Sequence, residues 1–139
     1  MNGLYVVDCS QVMAFLLGEE DGGKMEALLL ETEQHLAKLS APALLGYEVN
    51  NVLTIAHRKG RIDDEERVVL LQDFFALPIE LEPVPTPFLH QEIGELAKAH
   101  TLTAYDASYL ELGLRKQACL RTLDQDLLKL QDQFPDIFS

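Results

Sequence analysis

Four carboxylates stand in company that does not suit an ionised side chain. Asp8 ends the apolar run Leu4-Tyr5-Val6-Val7, and Glu48 has Leu44, Leu45 and Val52 at i−4, i−3 and i+4 of a helical pattern. Asp106 has Leu102 and Leu110 at i−4 and i+4 of a helical pattern, and Asp124 follows the run from Ala118 to Leu123. An ionised carboxylate shielded from water costs several kcal/mol or shifts its pKa, so each of these acids needs a partner. Taken singly, each has a structural reading: Asp8 as a turn or N-cap, Glu48 at the edge of an apolar stripe, and Asp106 and Asp124 as helix-start acids. Taken together they place acids at strand ends or early helical turns of four separate segments. Convergence of such groups raises and couples their pKa values unless cations enter. An all-carboxylate set suits Mg²⁺ or Mn²⁺, and such ions support in-line hydrolysis of a phosphodiester. Asp126 competes with Asp124 for the fourth position. Zinc fits poorly, since His35, His57, His90 and His100 show no i, i+4 pairing with one another and Cys9 and Cys119 lack a CxxC spacing.

The elements that must position these acids alternate between strands and helices. The near-continuous apolar run ending at Val7 predicts a strand buried on both faces of a parallel sheet, with Ser10 as the N-cap of the helix after it. Residues 21–39 show a helical period behind Gly22-Gly23, and a longer helix runs from Ala43 to a C-terminal glycine at Gly60. Asp63-Asp64-Glu65-Glu66 opens a helix that ends before Pro78, and Ile79 to Val84 alternates as an edge strand or strand end. Helices over 88–100, 105–116 and 124–131, with a short strand over 118–122, complete an α/β chain with a mainly parallel sheet. Ligands of such sheets bind beyond the strand C-terminal ends, where Asp8 lies. Phe74, Phe75, Leu70 and Leu71 read as core or dimer surface, and Met13 and Met25 as packing.

With 139 residues the chain fits one domain spanning 1–139, and 47% hydrophobic with 24% charged residues excludes disordered and fibrous classes. No apolar run reaches the roughly 18 residues of a membrane span, and no basic segment precedes the first one, which predicts a cytoplasmic protein without a signal peptide. Eleven Lys plus Arg against 23 Asp plus Glu, a formal charge of −12, leave no general basic surface for phosphate backbones.

The segments Val7-Asp-Cys-Ser10, Glu48-Val-Asn-Asn-Val-Leu53, Thr103-Ala-Tyr-Asp-Ala-Ser-Tyr-Leu-Glu-Leu112 and Arg121-Thr-Leu-Asp-Gln-Asp-Leu127, in that order, carry a family likeness. Over essentially its whole length the chain resembles the PIN-domain nucleases, and in size and spacing the VapC-like toxins of prokaryotic toxin–antitoxin pairs. The resemblance implies a three-layer α/β/α fold with a parallel sheet and an acidic Mg²⁺ or Mn²⁺ site that cleaves RNA. It assigns Asp8, Glu48 and Asp106 to the principal acids, Asp124 to the more variable fourth, and Ser10, Asn51 and Thr122 to polar supporting positions. Asp8 and Asp106 would ligate metal directly, Glu48 would ligate it or position the attacking water, and Asp124 would serve a second ion or a water-mediated contact. Homodimerisation and inhibition by a small antitoxin, whose tail enters the active-site groove, are implied as well. A local basic path for RNA would come from Arg58, Lys59 and Arg61 after the Glu48 helix, or from Arg115, Lys116 and Arg121 around the Asp106 helix. Those cations also have a structural reading at helix C-termini.

Two other functions compete. A phosphoacceptor signalling domain would show paired acids after the first strand and a late lysine after a strand; here a single Asp8 ends the strand, and the last strand leads into Thr122. A PIN-like interaction module with little nuclease activity is compatible with the fold, although all four acidic positions are filled.

Overall fold

The computed structural model describes residues 3–138. Its centre is β1 (Leu4–Val7), paired in parallel with β2 (Lys38–Ala41) on one side and β4 (Cys119–Arg121) on the other, while β3 (Ile79–Leu81) forms an edge beyond β2. The register sets Val6 opposite Ser40 and Leu120, and Val7 opposite Arg121. Val6 and Val7 are wholly buried, as a central strand covered on both faces requires. The sheet is fully parallel, so the C-terminal ends of all its strands lie along one edge.

Helices cover the sheet in two groups. One contains α1 (Cys9–Leu16), α2 (Gly23–Glu33), α3 (Leu44–Arg58) and α4 (Asp64–Phe75), with α1 packed against the other three. The other pairs α5 (Pro87–His100) with α6 (Ala104–Lys116), and α6 lies against β1 and β4. A short α7 (Gln125–Leu128) follows β4. The result is the expected three-layer α/β/α arrangement. Met25, Leu45, Val49, Leu53, Leu110, Leu112 and Leu127 fill the core with the strand residues. Phe74 is buried there, whereas its neighbour Phe75 is 61% exposed. No helix among the described residues is long and apolar enough to cross a membrane.

Local chemistry explains most boundaries. Asp63 and Glu66 form a reciprocal capping box at the start of α4, so the acidic run does satisfy helix-start amides. Gly60, at φ 74°, ends α3: its amide donates to the His57 carbonyl and the Arg61 amide to that of Ala56, a pairing that needs the left-handed backbone glycine adopts without strain. Thr86 and Thr103 cap α5 and α6 through their hydroxyls.

Two expectations are corrected. The helical period over 21–39 breaks at Glu33, where His35 takes a left-handed backbone, and Lys38–Ala41 become β2. Leu36 and Leu39 stay in helical phase across that break, and a four-residue strand reading Lys-Leu-Ser-Ala carries no alternation to announce itself. The N-cap of α1 is Asp8 rather than Ser10, because the Asp8 carboxylate accepts from the Gln11 amide.

Gly22 is buried where α1 meets the turn before α2. A Cβ there would stand 2.7 Å from Phe15 Cα and 2.8 Å from the Ala14 carbonyl oxygen, both backbone atoms that cannot swing away. Gly22→Ala is therefore expected to lower stability by about 1–3 kcal/mol, the usual range for overpacking. A denaturant midpoint equal to that of the parent chain would contradict this.

Candidate functional site

The β1–α1 junction is the foundation of the site. Asp8 is only 4% exposed, yet three donors meet its carboxylate. Oδ1 accepts from the Ser10 hydroxyl at 2.6 Å and the Gln11 amide at 3.1 Å, while the Thr122 hydroxyl donates to Oδ2. Both hydroxyls are anchored in turn: the Leu123 amide donates to Ser10 Oγ at 2.9 Å, and the Asp124 amide to Thr122 Oγ1 at 2.9 Å. These bonds tie the turn after β1 to the turn after β4 and aim Asp8 along the sheet edge. Burial nonetheless pushes the Asp8 carboxyl above the usual carboxylate range, with the charge of Asp124 adding to it and the three donors opposing it.

Glu48 enters from the second turn of α3. The Tyr109 hydroxyl, itself on a residue 1% exposed, donates to Glu48 Oε1 at 2.5 Å. Burial raises the Glu48 carboxyl and the Asp8 charge raises it further, against the pull of Tyr109. Asp106 sits in the first turn of α6, one turn before Tyr109 on the same helix. Its carboxyl is pushed up to about 6, first by burial and then by Asp124, Asp8 and Glu48. Asp124 caps α7 by accepting from the Asp126 amide at 3.3 Å.

Carboxylate oxygens from Asp106, Asp124 and Asp126 lie within 4.8 Å of one another. Oxygen donors bound at 2.0–2.1 Å to one small octahedral ion stand about 3 Å apart at neighbouring positions and about 4 Å apart at opposite ones, so three carboxylates spread over this distance would have to draw together by about 1–2 Å to share such an ion. Asp8 and Glu48 lie outside that tight group but close enough for their charges to raise Asp106. An all-oxygen, mutually repelling set suits a hard divalent cation. The structure thus gathers the four sequence-derived acids at one place, with Asp126 beside Asp106 and Asp124.

The other residues singled out divide. Ser10 and Thr122 hold Asp8 directly. Asn51 is exposed, and the Glu48 carboxylate is held by Tyr109 instead. Arg58, Lys59 and Arg61 are exposed at the far end of α3, about 15 Å along the helix from Glu48. Arg115 pairs with Glu111 at 2.8 Å and Glu82 at 3.4 Å, and Lys116 pairs with Glu82 at 3.1 Å. The Arg121 guanidinium stacks over the Tyr5 ring at 5.2 Å. Cys9 is the first residue of α1, and its thiol is pushed up to about 12 by burial and by Glu48 and Asp8. It stays protonated and unreactive at neutral pH.

Tyr109 is the residue the sequence left without a role. Its signal was present: a phenol at i+3 from Asp106 on a buried helical stripe requires a hydrogen-bond partner. Tyr47 and Tyr105, each directly preceding an acid of the cluster, are 83% and 65% exposed.

The parallel four-stranded sheet between two layers of helices has the PIN-like α/β/α arrangement, with carboxylates gathered beyond its strand ends. Within that class the chain resembles the VapC-type proteins, as its motifs indicated. It is 28% identical over 131 residues to Ribonuclease VapC3 of Pyrobaculum aerophilum, covering 94% of each protein. The crystal structure of PAE2754 from Pyrobaculum aerophilum superposes with a TM-score of 0.70 at 25% identity, covering 93% of this chain and 85% of the other. VapBC2 from Rickettsia felis, solved bound to a DNA fragment from its promoter, shares the fold with a TM-score of 0.65 at 12% identity, covering 97% and 96%. No protein-family model matches the chain.

Proposed function

We propose that the chain is a divalent-metal-dependent endoribonuclease, the toxin of a toxin–antitoxin pair. The observation that carries this reading is the meeting of Asp8, Glu48, Asp106 and Asp124, drawn from four segments, at the open edge of a parallel sheet, where burial and the charges of neighbouring acids raise the carboxyls of Asp8, Glu48 and Asp106. The similarity to a protein named as a ribonuclease over 94% of the chain supports the choice of substrate.

Asp8, Asp106 and Asp124 would hold Mg²⁺ or Mn²⁺, with Asp126 as a further donor and Glu48 as ligand or orienter of the attacking water. The bound ion supplies Lewis acidity toward the phosphodiester and lowers the pKa of water at neutral pH. Asp8 contributes a carboxylate locked in one orientation by Ser10, Gln11 and Thr122, which removes the entropy of arranging it during reaction. Glu48, with its carboxyl raised, is suited to accept a proton from water. Because Arg115 and Lys116 are engaged by glutamates, the exposed Tyr47 and Tyr105 are better placed beside the acids, where bases can stack. Arg58, Lys59 and Arg61 would meet backbone phosphates further along the RNA.

The antitoxin fits the same charge logic, since a basic tail is drawn to an acidic site. Ser108, two residues beyond Asp106, lines an apolar cleft of about 200 Å³ walled by Pro42, Pro83, Leu89, Ile93 and Leu112, which would take an apolar side chain of that tail. A second copy of the chain is proposed as a further partner on the strength of the resemblance.

The test is incubation of the purified chain with mixed RNA and Mn²⁺, beside Asp8→Asn and a chelator control. Cleavage by the parent chain that disappears in both controls is the expected result. Cleavage that persists in Asp8→Asn, or in chelator, would defeat the assignment.

A further inference from the structure

We infer that Tyr47 and Tyr105 are base-stacking residues that restrict the site to unpaired nucleotides. The inference rests on the proposed nuclease reading and deepens it by naming the form of RNA the site takes. Of the four tyrosines in the chain, Tyr5 and Tyr109 are buried, whereas Tyr47 and Tyr105 are 83% and 65% exposed. Each exposed ring directly precedes an acid of the cluster, Glu48 or Asp106, and the two come from different helix layers, on α3 and α6.

Helical spacing brings both toward the same place. Tyr47 stands one turn beyond Ala43 at the start of α3, and Ala43 lines the cleft beside the acids. Tyr105 stands one turn before Ser108, which lines that cleft too, and one turn before Tyr109, whose hydroxyl crosses to Glu48. The two rings therefore share the helix faces that look onto the space between α3 and α6.

Charge favours the same kind of ligand. The chain carries a formal charge of −12, and the cations flanking the cluster are engaged. Lys129 pairs with Asp126 at 3.7 Å, Arg115 and Lys116 pair with Glu82, and Arg121 stacks on Tyr5. Double-stranded RNA is held mainly through its phosphates and 2′-hydroxyls and keeps its base faces stacked inside. Such a ligand meets engaged cations here and offers the tyrosines nothing to stack on. An unpaired strand presents its base faces, and aromatic rings bind these with little regard to sequence.

Fluorescence anisotropy in Mn²⁺ reads binding directly, in an Asp8→Asn background so that the strand stays uncut. The probes are a mixed-sequence single-stranded RNA of about eight nucleotides, the same sequence as a duplex, and the same strand with abasic spacers in place of its bases. The unpaired, base-bearing strand is expected to bind at least about 10-fold tighter than either other probe. Tyr47→Ala and Tyr105→Ala are each expected to weaken that strand about 10-fold and to leave the abasic probe unchanged. Tyr47→Phe and Tyr105→Phe are expected to bind as the background does, because the ring rather than the hydroxyl stacks. Equal binding of the abasic strand or the duplex, or alanine variants that hold the unpaired strand as before, would overturn the inference. If the chain without the Asp8 change still cleaves RNA, that result leaves the nuclease reading in place. A chain that neither cleaves RNA nor binds any of the probes would overturn both.

Discussion

Asp106→Asn is expected to lose RNA cleavage by more than about 100-fold and, without metal, to make the protein more stable at neutral pH. The first effect follows from rank: changing a group that merely orients a ligand costs about 10–100-fold, so removing a ligand costs at least the upper end. The second follows from the sign of the Asp106 shift. Its carboxyl rises from 3.8 to about 6 on folding because burial and three neighbouring acids disfavour its charge. A group raised in the folded state contributes stability that is fully present below its unfolded pKa and is lost as pH rises through the folded value. The metal-free parent should thus lose stability between about pH 4 and pH 6, and Asp106→Asn should lose less, since only the raised carboxyls of Asp8 and Glu48 remain to contribute. Two pKa units correspond to nearly 3 kcal/mol in a dry site, but Asp106 is partly solvent-screened and about 1 kcal/mol is the expected gain at pH 8. Urea unfolding of both proteins in chelator at about pH 4 and about pH 8, at the foot of the window and above it, reads the difference. An Asp106→Asn chain less stable than the parent at the higher pH would refute the electrostatic account.

Asp8→Asn should behave differently without metal, although both acids lie in one cluster. The carbonyl of an asparagine can keep the Gln11 amide and the Ser10 hydroxyl, but its amide group then faces the Thr122 hydroxyl that donates in the parent chain. Relief of charge is offset there by a disturbed buried network.

The second large effect is thermal. Mn²⁺ at about 100 times its dissociation constant adds about 2.7 kcal/mol to a protein that binds it only when folded, or roughly 10 °C in Tm for a chain of this size. Metal and proton compete for Asp106, so the shift should be large at pH 8 and shrink as pH falls below about 6. Scanning unfolding with and without Mn²⁺ across that range checks both the size and the direction. An equal shift on both sides of pH 6 would mean that the ion binds elsewhere.

What the sequence determined by itself are the features whose causes lie within a turn or two of chain. Asp63 and Glu66 cap each other three residues apart, Thr103 caps the helix that carries Asp106, and Gly60 ends α3, because those bonds join near neighbours. The identity of the acids was legible too, since an acid beside apolar neighbours advertises its misfit locally. The resemblance named Ser10 and Thr122, but not the bonds they make. Only the tertiary structure decided that Tyr109 rather than Asn51 holds Glu48, that Thr122 reaches Asp8 across 114 residues, and that Arg115 and Lys116 both meet Glu82. It also decided β2, whose four residues become a strand through pairing with β1 and β3. Strand pairing and side-chain partnership between distant segments depend on how the whole chain packs, and no local pattern of residues encodes them.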